Sequence, residues 1–327
     1  MKDVGLVGVP YSGKSTLFTA LTRTGAVGGR ANRAVVAVPD PRLPVLAEME
    51  RSARIVPAQV GFVDVPGGTS GQGLAALRET DALCVVVRAF GPSADPVAEM
   101  GEVQTELVLA DLGNVESALE SARRRAKSRG QHELAELHAL ERAHAALSAE
   151  VPLRLSDLDE DERLALRSLA PLTLKPQVVV ANVEEGAGLP AGLPEGAVPV
   201  SAEIEAETAA MPEDEARALL AEFGVAEPGL SRVIAACYGE LHLITFLTTG
   251  EDETRAWEVR RGATAPDAAG AIHTDLQRGF IRAEVIGFDD LVAAGGWDRA
   301  KAKGLLRVEG RDYVVREGDV LHVRFAV

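Results

Sequence analysis

The chain has 327 residues, enough for about two domains, with 46% hydrophobic and 25% charged residues, the balance of an ordinary globular protein. Two cysteines exclude a disulfide framework or a cysteine-rich metal site, and a formal charge of −15 argues against broad coating of nucleic acid. No apolar run reaches the roughly 18–20 residues of a bilayer-crossing helix and the N-terminus lacks a signal-peptide core, so a soluble, cytoplasmic protein without a membrane partner is expected.

The first element is a short apolar strand, V-G-L-V-G at 4–8, running into G-V-P-Y-S-G-K-S-T from Gly8 to Thr16. This is the G-x-x-x-x-G-K-[ST] phosphate loop, and an amphipathic helix with Leu17, Phe18 and Leu21 follows it. Gly8 and Gly13 let the backbone curl so that N–H groups face phosphate oxygens, and the helix N-terminus adds partial positive charge. Tyr11, Ser12, Gly13, Lys14, Ser15 and Thr16 are the expected phosphate-side residues. Lys14 reaches the β- and γ-phosphates as a catalytic cation, and Ser15 offers its hydroxyl to Mg²⁺.

Next comes Q-V-G-F-V-D-V-P-G at 59–67, a strand ending in a D-x-x-G element. Asp64 is the expected second metal-side residue and Gly67 the expected backbone donor to the γ-phosphate. Residues 105–148 break the strand–helix rhythm. Leu112, Val115, Leu119, Ala122 and Ala126 form one apolar seam, and Leu134, Leu137, Leu140 and Leu147 a second. A short connection between them predicts an antiparallel helical hairpin with Arg123, Arg124, Arg125, Lys127 and Arg129 at its tip, a docking surface for RNA or an acidic partner or else a solvated helix end.

A buried strand at 176–182 then leads to N-V-E-E, where guanine-binding switches carry N-K-x-D. Asn182, Val183 and Glu185 are the expected base-side residues, and the missing aspartate argues against a guanine-specific pocket. A last strand ends in Ser201, Ala202 and Glu203, similar to the S-A-K loop beside the base. From 242 on, strands at 242–250 and 254–259, a helix at 265–276 and a late hairpin of 311–315 with 320–327 suggest a β-grasp module. That module is nearly neutral in charge, so Arg260, Arg261, Arg278 and Arg282 are its candidate RNA contacts.

With these segments in order, the chain resembles the Obg-like ATPase (YchF) family. The resemblance rests on V-P-D-P-R-L (38–43), V-P-A-Q-V-G-F-V-D (56–64), R-E-T-D-A-L (78–83), T-E-L-V-L-A-D-L (105–112) and K-P-Q-V-V-V-A-N-V-E-E (175–185). It continues through A-I-H-T-D-L-Q-R-G-F-I-R-A-E-V (271–285) and G-D-V-L-H-V-R-F (318–325). It implies an α/β fold: a P-loop NTPase (Ras-like G domain) with an inserted antiparallel hairpin and a C-terminal TGS-like β-grasp domain. The implied domains are 1–104 and 173–240 for the two parts of the NTPase, 105–172 for the insertion and 241–327 for the TGS-like module. It also implies ATP, with GTP as the alternative, Mg²⁺, a ribosome or ribosomal RNA as partner, and a role in translation and stress responses.

The chain departs from that family at three places. Tyr11 stands where the family usually has Asn, the loop between Thr22 and Val35 is short and glycine-rich, and the stretch from Gly68 to Arg78 is shortened. The expectation is therefore nucleotide binding with slow hydrolysis, the alternative being a silent nucleotide-binding adaptor that works through its hairpin and C-terminal module.

Overall fold

The computed structural model describes residues 2–22, 32–65, 68–126, 131–209, 211–223, 225 and 228–326. The first elements are β1 (Lys2–Val7), α1 (Lys14–Thr22), β2 (Asn32–Ala37), α2 (Arg42–Glu50), β3 (Ile55–Val56), β4 (Gln59–Asp64), α3 (Gly71–Arg78) and β5 (Ala82–Ala89). Next come α4 (Pro96–Ala126), α5 (Gln131–Ser148), α6 (Glu160–Ala165), β6 (Gln177–Val183), β7 (Val198–Val200), α7 (Ala202–Thr208), α8 (Glu213–Glu222) and α9 (Gly229–Glu240). The last are β8 (Leu243–Thr248), β9 (Thr254–Arg260), α10 (Ala265–Ile272), α11 (Thr274–Arg278), β10 (Phe280–Gly287), α12 (Phe288–Ala294), α13 (Trp297–Ala302), β11 (Arg307–Glu309) and β12 (Asp319–Phe325).

They fall into two compact units, one of residues 2–36 and 61–237, the other of 37–60 and 238–327. In the first, a sheet in the order β2-β4-β1-β5-β6-β7 places β1 beside β5, and β5 beside β6, in parallel register. β5 reads Ala-Leu-Cys-Val-Val-Val with all six positions buried, the continuous apolar run of a parallel strand covered on both faces. Leu83, Val85 and Val87 pack with Leu77 of α3 and with Val103 and Leu107 of α4. The carboxyl ends of β1, β5 and β6 therefore share one rim, the usual ligand edge of an open α/β sheet.

α4 begins at Pro96, well before the seam that the sequence showed. Val115, Leu119 and Ala122 pack with Ala139, Leu140, Ala143 and Leu147 of α5, while Leu134 is 53% exposed and off that seam. Ala139 and Ala143, both fully buried, fill the seam on which Leu134 was expected. Arg123 pairs with Glu141 at 3.2 Å and Arg125 with Glu136 at 2.8 Å, so part of the basic cluster is neutralised across the hairpin. Lys127 and Arg129 lie outside the described residues.

The second unit holds a sheet in the order β11-β10-β12-β8-β9-β3, with α10 packed over Ile244, Phe246, Ala283, Val285 and Leu321. β3 and α2 belong here: Ile55 pairs with Thr254, and Arg42 salt-bridges Glu317 at 2.7 Å. The expected strand at 311–315 is absent. Val314 makes only an isolated bridge to Thr264, and β12 pairs instead with β10 and β8. The clamp Tyr313 Oη to Asp319 Oδ2 (2.7 Å) uses the side chain that would otherwise alternate along a strand. The four candidate arginines also separate. Arg260 is level with Leu243 at the start of β8, whereas Arg282 is level with Arg324 near the end of β12, which runs parallel to β8. They occupy opposite ends of the sheet and make no single patch.

Candidate phosphate-loop site

β1 ends at Val7 beside Val85, and the chain turns at Gly8, where a Cβ would stand 2.3 Å from the Val86 carbonyl oxygen. Ser12 N–H donates to Val9 O at 3.3 Å and closes a turn over Pro10 and Tyr11. Tyr11 has φ 65°, Gly13 has φ 92°, and a Cβ on Gly13 would meet Asn182 Nδ2 at 2.1 Å. Positive φ at these two positions aims successive amides inward, the concavity that binds anions. Glycine accepts that geometry freely, whereas Tyr11 costs about 1–2 kcal/mol.

Lys14 opens α1, and its Nζ donates to Gly8 O and Val9 O, both at 2.8 Å. Burial lowers its pKa, with the charges of Asp64 and then Glu99 pulling the other way. Asp64 is 3% exposed at the end of β4. Ser15 and Thr16 are exposed on the first turn of α1, and Ser12 is buried with its Oγ lacking a hydrogen-bond partner among the described residues. Gly67 lies outside the described residues. Gly68 follows with φ 51°, and a Cβ there would stand 4.0 Å from Lys14 Nζ. Gln72 is exposed on the first turn of α3.

On the base side, Asn182 Nδ2 donates to Ser12 O at 3.1 Å and its Oδ1 accepts from Ala202 N–H at 3.1 Å. This one side chain ties the phosphate loop to the strand-end loop at 201–203. Val183 and Ser201 line a cavity of about 280 Å³ together with Glu184, Gly186, Val200 and Arg232. Glu185 and Glu203 are exposed. Glu184 Oε1 accepts from Gly91 N–H at 3.1 Å. Glu99, in the first turn of α4, is a residue that sequence reading missed. Its charge reaches Lys14, and it accepts from Arg88 N at 2.8 Å and Arg88 Nε at 3.1 Å. Its only sequence signal was an acid near a helix start.

The donors near Lys14 suit Mg²⁺: a hydroxyl at Ser15 and a buried carboxylate at Asp64, few and oxygen-only, leaving the remaining positions to phosphate and water. Among the described residues no three His, Cys, Asp or Glu side chains gather as a self-sufficient metal site, and no helix is long and apolar enough to cross a membrane.

The chain is similar to known proteins over its whole length. A family model named MMR_HSR1, described as "50S ribosome-binding GTPase", matches residues 3–119. A second, YchF-GTPase_C, described as "Protein of unknown function (DUF933)", matches residues 243–326. The chain is 42% identical to "Ribosome-binding ATPase YchF" of Haemophilus influenzae, over 99% of both chains. It is 37% identical to the protein of that name from Bacillus subtilis, again over 99% of both. The solved structure titled "Structure of the Schizosaccharomyces pombe YchF GTPase" superposes with a TM-score of 0.86 at 28% identity, covering 99% of this chain and 97% of that one. The Haemophilus alignment runs to 358 positions, so that relative carries residues with no counterpart in this chain of 327.

Proposed function

The chain belongs to the YchF family, and from that membership we propose that it is a ribosome-associated P-loop NTPase that binds ATP in preference to GTP and hydrolyses it slowly. The observation that carries the reading is the phosphate loop itself. Gly8 and Gly13 leave the space, Lys14 Nζ sits on the loop carbonyls, and Asp64 is close enough for Lys14 to feel its charge.

In this reading the amides of residues 11–15 bind the β-phosphate, and Lys14 exchanges its two carbonyl partners for β- and γ-phosphate oxygens. Ser15 and Asp64 would hold Mg²⁺, which supplies neutralisation of the charge that develops on the phosphates. Gly67 N–H orients the γ-phosphate, and Asn182 keeps the loop and the base side in register. Adenine preference rests on Glu185, which stands where a guanine-reading aspartate would be and is solvent-exposed. The names of its relatives include both ATPase and GTPase, so the choice of base rests on residues 182–185. Slow turnover follows from Gly68, which offers no side chain to orient water, while Gln72 faces solvent.

We assign 1–104 and 173–240 to the NTPase domain, 105–172 to the hairpin insertion and 241–327 to a TGS-like module, with work in the cytoplasm and in stress responses. The ribosome as partner is drawn from the relatives' names, and the hairpin tip and C-terminal module are the surfaces assigned to it. The test is equilibrium binding of ATP and GTP beside phosphate release, with Mg²⁺, with and without ribosomes. ATP-selective binding with release that ribosomes stimulate is the expected result. Binding without release under both conditions replaces the hydrolase with a silent adaptor, and unchanged binding by Lys14→Ala removes the site altogether.

A further inference from the structure

The mouth of the phosphate loop carries a side chain that its backbone disfavours. Val9, Pro10, Tyr11 and Ser12 form a turn closed by Ser12 N–H on Val9 O at 3.3 Å, with proline second and a positive φ of 65° third. That is the type II pattern, whose third position calls for glycine or asparagine. An aromatic residue there opposes local preference, and folding offers it no return, because Tyr11 is 90% exposed and buries almost nothing. Strain without packing, located in a ligand site, points to a contact made outside the folded chain.

The surroundings of the turn say which contact. Ser12 O is held from the base side by Asn182 Nδ2 at 3.1 Å. Gly8 and Lys14 face the other side, where a Cβ on Gly68 would stand 3.1 Å from Gly8 O and 4.0 Å from Lys14 Nζ. Gly68 follows the D-x-x-G element that marks the terminal-phosphate end. The apex of the turn, Tyr11, thus lies between the base-side tie and the terminal-phosphate end. A phenol there carries one O–H donor and no charge. It can donate to a phosphate oxygen beside the one that Lys14 takes, without adding charge next to the metal.

We propose that Tyr11 folds over the bound nucleotide and donates its hydroxyl to the terminal phosphate, so that the loop distinguishes nucleoside triphosphate from diphosphate. The inference rests on the reading of residues 8–16 as the nucleotide site. It assigns discrimination between nucleotide states to a residue of the loop itself, in a chain whose switch segments are short.

The experiment is calorimetric binding of ADP and of a non-hydrolysable ATP analogue, each with Mg²⁺, to the full chain and to Tyr11→Phe, Tyr11→Gly and Lys14→Ala. Tyr11→Phe keeps the ring and removes the donor. It should weaken the triphosphate analogue about tenfold while changing ADP less than about twofold. Tyr11→Gly should show the same loss of discrimination yet raise the thermal midpoint of the nucleotide-free protein, because the strain is gone. An unchanged triphosphate-to-diphosphate ratio in Tyr11→Phe overturns the proposal, as does an equal loss for both nucleotides, which would mean that the residue only shapes the loop. Lys14→Ala separates the two levels. If it binds both nucleotides as the parent does, the site reading fails and this inference falls with it. If it loses both while Tyr11→Phe keeps the parent ratio, only the role of Tyr11 is wrong.

Discussion

Arg78→Ala should be one of the most damaging single changes outside the phosphate loop. The Asp111 carboxylate on α4 is 1% exposed and accepts four hydrogen bonds. They come from Arg78 Nη1 at 2.7 Å, Leu172 N at 3.0 Å, Thr173 N at 2.7 Å and Thr173 Oγ1 at 2.8 Å. Arg78 also donates to Ala170 O at 3.0 Å and Ala110 O at 3.1 Å, so one guanidinium joins the end of α3, the middle of α4 and the segment before β6. Removing it leaves a buried anion with neutral donors only. Breaking such a pair costs about 3–5 kcal/mol, and three remaining donors put this case near the lower end, about 3 kcal/mol. Native-state hydrogen exchange at the Leu172 and Thr173 amides is the direct assay. About 3 kcal/mol corresponds to a fall in protection of roughly 150-fold if these amides open with the unit. Asp111→Asn should cost less, because the stranded cation keeps some water, its side chain being 17% exposed. The double variant should be less destabilised than the sum of the singles by at least about 1 kcal/mol. A loss below about 1 kcal/mol for Arg78→Ala, or strict additivity in the double variant, would refute the reasoning.

Gly13→Ala combines an unfavourable φ of 92° with a Cβ placed 2.1 Å from Asn182 Nδ2, so nucleotide affinity should drop beyond detection in calorimetry while global stability falls by only about 1–3 kcal/mol. Asn182→Ala removes both ties between the loops and should weaken ATP and ADP alike by about tenfold or more, measured in the same titration. Lys14 titrates below the ordinary lysine value of 10.5 because burial disfavours its charge. The unfolded chain therefore binds the proton more tightly in the window below 10.5, and this residue's contribution to stability rises with pH there. Lys14→Met should lack that slope, so the parent's thermal midpoint should rise relative to the variant's as pH increases toward 10.5, and parallel curves would contradict the burial argument. Arg123→Ser with Arg125→Ser removes two pairs that are exposed, at 59% and 51% for the arginine side chains. Stability should change by less than about 1 kcal/mol, and loss of ribosome co-sedimentation without loss of stability would assign the tip to docking.

The parts of the site legible in the sequence are those whose chemistry is contiguous. G-V-P-Y-S-G-K-S-T carries its own turn, its own cation and its own helix start, so a strand–loop–helix reading of residues 4–22 matches β1 and α1. Asp64 and Asn182 were legible because each ends an apolar run at the rim of the sheet. Glu99 was not, since nothing local links a helix acid to a lysine 85 positions earlier in a chain numbered as here. In the C-terminal unit, β8 and β9 followed their local patterns, but the single helix expected at 265–276 breaks at the extended His273 into α10 and α11, and 311–315 did not become a strand despite its β-prone residues. Tyr313 and Asp319 hold it as a loop, and β10 takes the place beside β12.

Local composition thus determined that this chain would build a covered parallel sheet with a phosphate loop at its rim and a long helical hairpin, because binary pattern and glycine placement act over a few residues. Tertiary structure alone decided which distant partners meet: Arg78 with Asp111, Asn182 with Ser12, and residues 37–60 with the unit at 238–327. Those contacts depend on loop closure and on burial of paired polar groups, energies that exist only once the elements are packed and that leave no periodic trace along the chain.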